Sequence, residues 1–500
     1  MEIDITKFVV LGLYVAVLFL IGIVASRRVK SMSDFYVGGK RLGYWAVAFS
    51  ARATGESGWL LIGLTGMGAL SGLSAYWVVV GEVLGVAISW WYMAKKFKRK
   101  SDAYGSITIP DYLESHFGSK RKTLRILSAT ILSVFVIIYV SSQIDVTGKA
   151  FESMLGMNYY YGAILGFLIV LSYIFVGGFV AAVWSDLFQG LLMFFGLVLL
   201  PIVIWFSMEG PTNIIEGLSH IDPKLIQPWG TSDDPLMNIA TMLGFAMIGL
   251  GFLGSPQVYV RFMSIKSESE IDKGKWVAIL FTLLTDAAAV TIGILGRIVF
   301  TSQGQDPSMV LGAGAENVLA MLTEAFLPTL LAAIYVAIVL SAIMSTIDSL
   351  LVLASSAITR DFYQKIYRPD LKDEDLGKRS RWVTLAMALL ALGIAMIIAV
   401  VSPNHTVFWL IIFGWSGIAA SFCPVIIMSL FWSGLTEQGA IAAMISGFLS
   451  VPFFKFVVQN IAGIGPYFVQ LDVLAPSFLI SMLAGYLVSK YTAKKSLNIQ

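Results

Sequence analysis

The sequence predicts an all-α, polytopic membrane protein. Of its 500 residues, 57% are hydrophobic and only 13% are charged, whereas a soluble domain carries about a quarter charged residues. The mean hydropathy is +0.81. Apolar stretches recur along the whole chain between short polar loops, and each has close to the roughly 20 residues that a helix needs to cross a bilayer. These observations exclude a soluble multidomain protein.

Apolar stretches bounded by charged, polar, glycine or proline residues predict about 13 transmembrane helices. The first begins after a short polar segment that lacks the basic residues and the cleavage site of a signal peptide, so we expect it to be retained. The loops are too short for a nucleotide-binding domain, which favours an ion gradient over ATP as the energy source. The predicted stretches are 6–26, 44–70, 75–94, 124–150, 158–178, 180–207, 237–260, 275–300, 327–357, 382–401, 406–431, 437–456 and 470–489.

Basic residues lie on alternate loops. The second and fourth loops contain none, whereas the first and third are rich in them, and cytoplasmic loops of membrane proteins carry the excess of Lys and Arg. This pattern predicts a multi-pass protein of the cell membrane with its amino terminus outside and its carboxyl terminus in the cytoplasm. An odd number of spans requires the same arrangement. The residues are Arg27, Arg28, Lys30, Lys40 and Arg41 in the first loop and Lys95, Lys96, Lys98, Arg99, Lys100, Lys120, Arg121 and Lys122 in the third.

Composition also argues against several other functions. The 34 basic and 31 acidic residues nearly balance, and no basic tract is interleaved with aromatic residues, so we expect no nucleic-acid partner. The single cysteine, Cys423, excludes an internal disulfide framework. The three histidines are far apart and the intramembrane carboxylates have no histidine or metal cluster beside them, so we expect no enzyme. The expected partners are a small solute and the lipid bilayer, with no obligatory protein partner.

Two predicted helices are interrupted by polar or glycine residues. The second stretch reads Ser-Ala-Arg-Ala-Thr-Gly-Glu-Ser-Gly-Trp over Ser50–Trp59, and the seventh contains Gly249, Gly251, Gly254 and Pro256. A lone glycine-rich helix often only allows close packing, but paired interruptions at matching positions indicate the solute site of an inverted-repeat transporter. The predicted organisation is a single domain with an extra helix (6–26), two five-helix halves (44–207 and 237–431) and two further helices (437–489).

Ionisable residues within predicted spans are costly to bury and are therefore functional candidates. Arg52 and Glu56 are four residues apart, a spacing at which opposite charges meet on one helix face. They could form a self-neutralising pair. Alternatively, Arg52 could clamp a solute carboxylate while Glu56 meets an ammonium group or carries a proton. The full set is Arg52, Glu56, Glu82, Asp145, Lys149, Asp186, Asp286, Arg297 and Asp348.

The ninth stretch carries a group of hydroxyls at Ser341, Ser345 and Thr346. Such side chains often bond only to their own helix. A sodium ion, however, is coordinated by hydroxyls together with carbonyls freed by an unwound helix, so Ser345 and Thr346 beside the second stretch could bind sodium.

With these residues in view, the chain resembles the sodium/solute symporter family, nearest to its sodium/proline members. The similarity covers nearly the whole length, and its motifs are specific in combination. They are Asp34-Phe-Tyr-Val-Gly-Gly-Lys-Arg-Leu-Gly43, Ser57-Gly-Trp-Leu-Leu61, Ile109-Pro-Asp-Tyr112, Gly177-Gly-Phe179, Trp184-Ser-Asp-Leu-Phe-Gln189, Arg261-Phe-Met263, Met344-Ser-Thr346 and Ser355-Ser-Ala-Ile-Thr359.

The resemblance implies a LeuT-type inverted-repeat transporter that couples sodium to the uptake of a small organic solute, proline or a related amino acid, by alternating access. The co-transported sodium ion is then expected on Ala53, Glu56, Ala342, Ser345 and Thr346, with a second cation at Asp186. The expected solute-binding residues are Arg52, Ser57, Trp59, Tyr139, Gln143, Ile248 and Phe252.

The sequence departs from the proline symporters near this pocket. They have Gly where this chain has Arg52, Asp-Met where it has Gly55-Glu56, Trp where it has Ile248 and Tyr where it has Phe252. Backbone sodium ligands survive side-chain changes, so the departures bear on the solute more than on sodium. A proton-coupled symporter of a small carboxylate and a sodium-independent uniporter or channel remain open alternatives.

Overall fold

The computed structural model describes residues 5–27, 31–119, 121–208, 213–372, 376–402 and 405–497. The basic residues Arg28, Lys30 and Lys120 lie outside these ranges. Within them the chain is helical, and its only β pairing is one isolated parallel bridge between Leu42 and Ile265. The all-α class predicted from the sequence is therefore confirmed.

In the described ranges, fourteen helices make up the apolar body of the protein. They are α1 (Ile5–Ser26), α2 (Tyr44–Gly55), α3 (Thr65–Ser71), α4 (Tyr76–Ile88), α5 (Thr123–Leu155), α6 (Tyr159–Ser207), α7 (Pro235–Met247), α8 (Pro256–Ser264), α9 (Glu268–Phe300), α10 (Thr329–Ser356), α11 (Leu376–Val401), α12 (Val407–Phe431), α13 (Glu437–Phe456) and α14 (Leu474–Leu497). Shorter helices are Met32–Val37, Ala94–Ala103, Ile109–Phe117, Ile214–Ile221, Pro307–Leu311, Val318–Phe326 and Gly465–Leu471.

Ten of the described helices are long and apolar enough to cross a membrane, or 11 if the bent pair Gly465–Leu471 and Leu474–Ala493 counts as one span. The exact count of 13 is thus not confirmed. One reason is that helical structure runs continuously over Trp59–Ala103, where two spans were predicted to meet. Another is that α6 covers two predicted spans, with a bend at Gly178, whose φ of +56° suits glycine.

The first break separates α2 from α3. α2 ends at Gly55, Glu56 has non-helical dihedral angles (φ −101°, ψ 58°), and the chain resumes as a wide helical turn over Trp59–Leu64. A Cβ atom on Gly58 would lie 2.6 Å from Val146 on α5. The glycine therefore lets α5 approach the break closely.

The second break separates α7 from α8. The chain tightens into a 3-10 turn over Ile248–Leu253 before α8 begins at Pro256. A Cβ atom on Gly249 would lie 1.9 Å from the carbonyl oxygen of Gly81, and one on Gly251 would lie 2.2 Å from the ring of Trp415. Close packing and helix interruption, which were alternatives at the level of sequence, thus occur at the same glycines.

Burial separates central from peripheral helices. In the most apolar segments of α10 and α12, 83% of the residues are buried, whereas in those of α1 and α11 only 28% are. α10 packs against α1, α5, α6 and the end of α2. Because α10 is enclosed over most of its length, polar side chains in its buried part must find partners within the protein rather than in lipid.

Candidate functional site

Two hydroxyls of α10 face the carbonyl end of α2. Ser345 Oγ donates a hydrogen bond to the carbonyl oxygen of Ala53 at 2.9 Å, and Thr346 Oγ1 donates to that of Thr54 at 3.1 Å. Both hydroxyls also lie near the carbonyl oxygen of Ala342, at 3.1 and 3.2 Å. All of these residues are buried. Neutral oxygens gathered at the negative end of a helix form a suitable environment for a small hard cation.

This cluster contains four of the five residues predicted to bind sodium. The fifth, Glu56, caps α2 through its own N–H, which donates to the carbonyl oxygen of Arg52 at 2.8 Å, and its carboxylate is directed toward the Arg52 guanidinium. Thr54 was not predicted, although its carbonyl meets Thr346. The sequence contains no signal for it, because the role of a carbonyl depends on where the helix unwinds.

Asp186 was predicted to support a second cation. In the structure its carboxylate is paired with the guanidinium of Arg261. Its Oδ2 lies 2.9 Å from Nη2 of Arg261 and accepts a hydrogen bond from Ser50 Oγ at 2.6 Å. The Arg261 guanidinium also donates to Thr54 Oγ1 at 2.6 Å, which connects this pair to the end of α2. Arg261 belongs to a sequence motif, but only the fold brings it to Asp186.

A third buried cluster surrounds Arg52. Its Nε donates to Glu56 Oε1 at 2.9 Å, its Nη2 lies 3.5 Å from Glu82, and its guanidinium stacks on the ring of Phe252 at 4.5 Å. The Thr285 hydroxyl lies 2.9 Å from Glu56 Oε2 and 3.2 Å from the carboxylate of the adjacent Asp286. Glu56 and Glu82 therefore share one guanidinium, and the Thr285 hydroxyl lies between Glu56 and Asp286. The pairing of Arg52 with Glu56 that their spacing suggested is present.

A closed cavity without room for a water molecule lies between the two breaks. Trp59 Nε1 donates to the carbonyl oxygen of Gly55, and Trp415 Nε1 donates to that of Ile248, each at 3.1 Å, so the two indole rings are fixed to the ends of the broken helices. Both breaks border this cavity, the first at Gly55 and the second at Ile248. It is lined by Gly55, Trp59, Glu82, Tyr139, Ile248, Ile411, Ile412 and Trp415.

The predicted solute residues divide between the cavity wall and its support. Trp59, Tyr139 and Ile248 line the cavity. Ser57 and Gln143 do not line the cavity, and the Ser57 hydroxyl lies 3.4 Å from that of Tyr139. Gln143 Nε2 donates a hydrogen bond to Ser57 Oγ at 3.2 Å, and Gln143 Oε1 accepts one from the N–H of Gly58 at 3.1 Å. They hold the unwound segment in place.

The two remaining predicted residues, Arg52 and Phe252, are not among the lining residues, since each is engaged with the other. Sequence reasoning missed Trp415, Ile411 and Ile412, for which α12 offers no polar signal. Glu82 had been visible only as an intramembrane carboxylate.

A polar cavity lies on the other side of the first break. It reaches Ile62 and is bordered by Lys149, Glu316 and His405. His405 Nε2 lies 2.8 Å from Asp145 Oδ2, and Lys149 Nζ donates to the carbonyl oxygen of His405 at 2.6 Å. Burial by itself would lower the pKa of His405, but its hydrogen bond to Asp145 and the charge of that carboxylate raise the pKa above its ordinary value.

Within the described residues, no group of three or more His, Cys, Asp or Glu side chains is arranged to hold a metal ion. A bound cation at the end of α2 would instead be held by the carbonyl and hydroxyl oxygens described above. Such a set suits sodium better than a transition metal, which prefers imidazole or thiolate ligands.

Comparison with known proteins agrees with this architecture. The profile of the sodium:solute symporter family matches residues 35–447. The chain is 34% identical over 484 residues to the high-affinity proline transporter PutP of Bacillus subtilis, covering 96% of this chain and 97% of that protein. It is 32% identical over 499 residues to sodium/proline symporter 2 of Staphylococcus saprophyticus, covering 97% and 93% of the two chains.

Solved structures show the same fold. A Na⁺-coupled sialic acid symporter in a substrate-bound, outward-open state matches with a TM-score of 0.76 at 19% identity, covering 97% of this chain and 98% of that one. A nucleobase-cation-symport-1 family transporter in a closed conformation matches with a TM-score of 0.54 at 12% identity, covering 92% and 95%. The chain therefore belongs to the sodium:solute symporter family and is a sodium-coupled transporter rather than an enzyme.

Proposed function

We propose that this protein takes up proline or a closely related small amino acid together with Na⁺, by alternating access. The observation that carries the proposal is the meeting of the α10 hydroxyls with the carbonyl end of α2, where Ser345 and Thr346 reach Ala53 and Thr54. The similarity to proline transporters over nearly the whole chain supports the choice of solute.

In this proposal, sodium binds among the oxygens of Ala53, Ala342, Ser345 and Thr346, with the backbone of Glu56 next to them. Gly55 borders the solute cavity and lies only two residues beyond Ala53. An ion that fixes the end of α2 against α10 therefore also fixes one wall of the cavity. By linkage, sodium and solute must raise each other's affinity by the same factor.

We extend the proposal to the organisation of the chain in the bilayer. The halves 44–207 and 237–431 would form the two repeats, each beginning with a broken helix, and 6–26 and 437–489 would flank them. The amino terminus would be outside and the carboxyl terminus cytoplasmic. A second cation at Asp186 would have to share the carboxylate with Arg261 or displace it. The solute and the lipid bilayer are the only partners that this function requires.

A proton-coupled symporter remains the second candidate because of one observation. Two buried carboxylates, Glu56 and Glu82, share the guanidinium of Arg52, and a third, Asp286, lies beside the Thr285 hydroxyl that also contacts Glu56. A carboxylate that exceeds the available positive charge in such a site can hold and release a proton.

One experiment separates the two candidates. The melting temperature of the purified protein would be measured with a panel of amino acids and small carboxylates, in sodium or in an equal concentration of potassium. A solute that binds the native state raises the apparent stability. We expect proline or a related amino acid to do so only in sodium. Stabilisation that depends on pH but not on sodium would refute sodium coupling and favour the proton.

A further inference from the structure

A cavity of about 740 Å³ opens on the side of the protein where α1 ends and α2 begins. Its wall comes from four parts of the chain: Arg27 after α1, the segment 34–46 that leads into α2, α6 just past its bend at Gly178, and the first turn of α9 at Glu270. This volume is within the usual range of ligand pockets. Unlike the closed space between the two breaks, it has room for a ligand group.

Both carboxylates in the wall already have donors from the protein. Asp34 Oδ2 accepts a hydrogen bond from Ser31 Oγ at 2.9 Å, and Asp34 Oδ1 lies 2.5 Å from Nη2 of Arg41. Glu270 Oε2 accepts a hydrogen bond from the N–H of Tyr44 at 2.9 Å. Because these acceptors are engaged, the cavity does not require a cation from outside the protein.

Positive charge exceeds negative charge around the cavity. Arg27 and Arg41 line it, and Lys266 and Lys273 each lie 3.6 Å from Glu270 Oε1, so four cations face two carboxylates. The side chains of Arg41, Lys266 and Lys273 are 73%, 55% and 60% exposed. Arg27 is exposed as well and has no hydrogen-bond or ion-pair partner within the part of the chain that the structure describes. An accessible excess of two positive charges favours an anion.

The cavity lies at the edge of the apolar layer of the protein. Only 28% of the residues in the most apolar segment of α1 are buried, and this helix ends at Ser26, one residue before Arg27. Trp45 and Trp184 line the cavity and are 52% and 39% exposed. Tryptophan is enriched where the hydrocarbon of a bilayer meets the headgroups. The anion available at this level is the phosphate of a lipid.

An apolar groove of about 420 Å³ continues from the cavity along α6. Trp184 lines the cavity, and Phe188, one turn further, begins the groove, which extends to Val203 and is completed by side chains at the start of α10. The Tyr335 hydroxyl donates to a carbonyl oxygen of α6 at 2.6 Å, and the other side chains of the wall are apolar. Trp184 and Phe195 are 11 residues apart, about 16 Å along a helix, which is close to half the thickness of the hydrocarbon core. The groove therefore has the length and the chemistry for an acyl chain.

We propose that this cavity binds the headgroup of an anionic phospholipid, with Arg27 and Arg41 at the phosphate and an acyl chain along the α6 groove. Basic pockets between membrane helices are suited to anionic headgroups. Tyr44, the first residue of α2, lines the same cavity, so the lipid contacts the start of the first broken helix. The inference depends neither on the identity of the solute nor on the coupling ion.

The test is native mass spectrometry of the full-length protein in detergent, with equal concentrations of dioleoylphosphatidylglycerol, which is anionic, and dioleoylphosphatidylcholine, which is zwitterionic. The site has two net positive charges, and each contributes about fivefold to the binding of an anionic lipid. We therefore expect the first phosphatidylglycerol to bind at least about tenfold more tightly than the first phosphatidylcholine. Melting curves with phosphatidylglycerol or glycerol 3-phosphate then separate a lipid from a free phosphate, and we expect only the lipid to raise the melting temperature.

Two variants assign the preference to the cavity. Arg27→Gln removes a charge that has no partner in the described part of the chain, so the lipid-free melting temperature should not change, while the preference for phosphatidylglycerol should fall about fivefold. Arg121→Gln is the matched control, because Arg121 is also an exposed arginine but does not line the cavity. We expect this variant to keep the preference of the wild type.

Three results would overturn the inference, and none of them bears on sodium-coupled uptake. Equal binding of the two lipids to the wild-type protein would show that the cavity does not select an anionic headgroup. An equal loss of preference in Arg27→Gln and Arg121→Gln would show that the selection comes from the overall surface charge. An equal rise in melting temperature with glycerol 3-phosphate and with phosphatidylglycerol would identify a site for soluble phosphate rather than for a lipid.

Discussion

The most informative substitution is Thr346→Ala, because it removes one proposed sodium ligand and leaves the others in place. Thr346 Oγ1 lies 3.1 Å from the carbonyl oxygen of Thr54 and 3.2 Å from that of Ala342. The substitution deletes a hydroxyl at the interface of α2 and α10 and leaves Ser345 bound to Ala53 at 2.9 Å. The sodium set keeps its backbone oxygens and one hydroxyl.

The expected loss of sodium affinity follows from the free energy of one contact between a hydroxyl and a charged group. Such a contact contributes about 1.5–3 kcal/mol, and each 1.4 kcal/mol changes an affinity tenfold. We therefore expect the sodium concentration for half-maximal effect to rise by about 10- to 100-fold. The hydroxyl also joins two helices in the absence of sodium, and losing that neutral hydrogen bond should cost about 1 kcal/mol of stability.

The assay is a sodium titration of solute uptake into proteoliposomes, with a parallel melting curve. Thr346→Val is a shape-matched variant that keeps the side-chain volume, so it should lose the same sodium affinity without leaving a cavity. The control is Ser341→Ala on the same helix, whose hydroxyl is equally buried but bonds to Tyr14 and Ala337 rather than to α2. Equal shifts in sodium dependence for Thr346→Ala and Ser341→Ala would refute the reasoning.

Three further predictions test other parts of the molecule. Gly249→Ala should prevent folding, measured as loss of monodisperse protein after extraction, because its Cβ would lie 1.9 Å from a carbonyl oxygen of α4; normal yield would contradict the packing described here. Asp186→Asn should lower the free energy of unfolding by about 3–5 kcal/mol, since it leaves Arg261 buried without a charged partner; a small change in chemical denaturation would argue that the pair is dispensable. The raised pKa of His405 means that its pairing with Asp145 contributes fully below about pH 6.5 and is lost as pH rises through the folded-state pKa. The wild-type melting temperature should therefore fall across that range relative to His405→Ala, by an amount equivalent to about 1 kcal/mol, and parallel pH curves would contradict the assignment.

Much of the site was predictable because its signals are local. Polar and glycine residues within Ser50–Trp59 showed where the first helix breaks, since no unbroken membrane helix needs them. The hydroxyls at Ser345 and Thr346 were visible in the same way. Resemblance to the family then placed them opposite Ala53, and the structure brings these groups within hydrogen-bond distance.

Other features depended on distances in space. Glu82 and Asp286 were recognisable as costly intramembrane charges, but the sequence separates them by about 200 residues. It gives no sign that Glu82 contacts Arg52 or that Thr285 lies between Asp286 and Glu56. Trp415 lies in an apolar helix, and no sequence feature distinguishes it. In the structure its indole N–H donates a hydrogen bond to the carbonyl oxygen of Ile248 at 3.1 Å. Such a contact exists only when α12 has packed against the second break.

The sequence by itself determined that this chain is a helical membrane protein, that two of its helices are broken, and which hydroxyls could serve a cation. It did so because hydropathy and helix interruption are properties of consecutive residues. Only the tertiary structure decided that Arg52 is held by Glu56, that Arg261 already pairs with Asp186, and that Glu82 lies beside Arg52. Charge pairing acts through space over a few ångströms, so it is set by helix packing rather than by position along the chain.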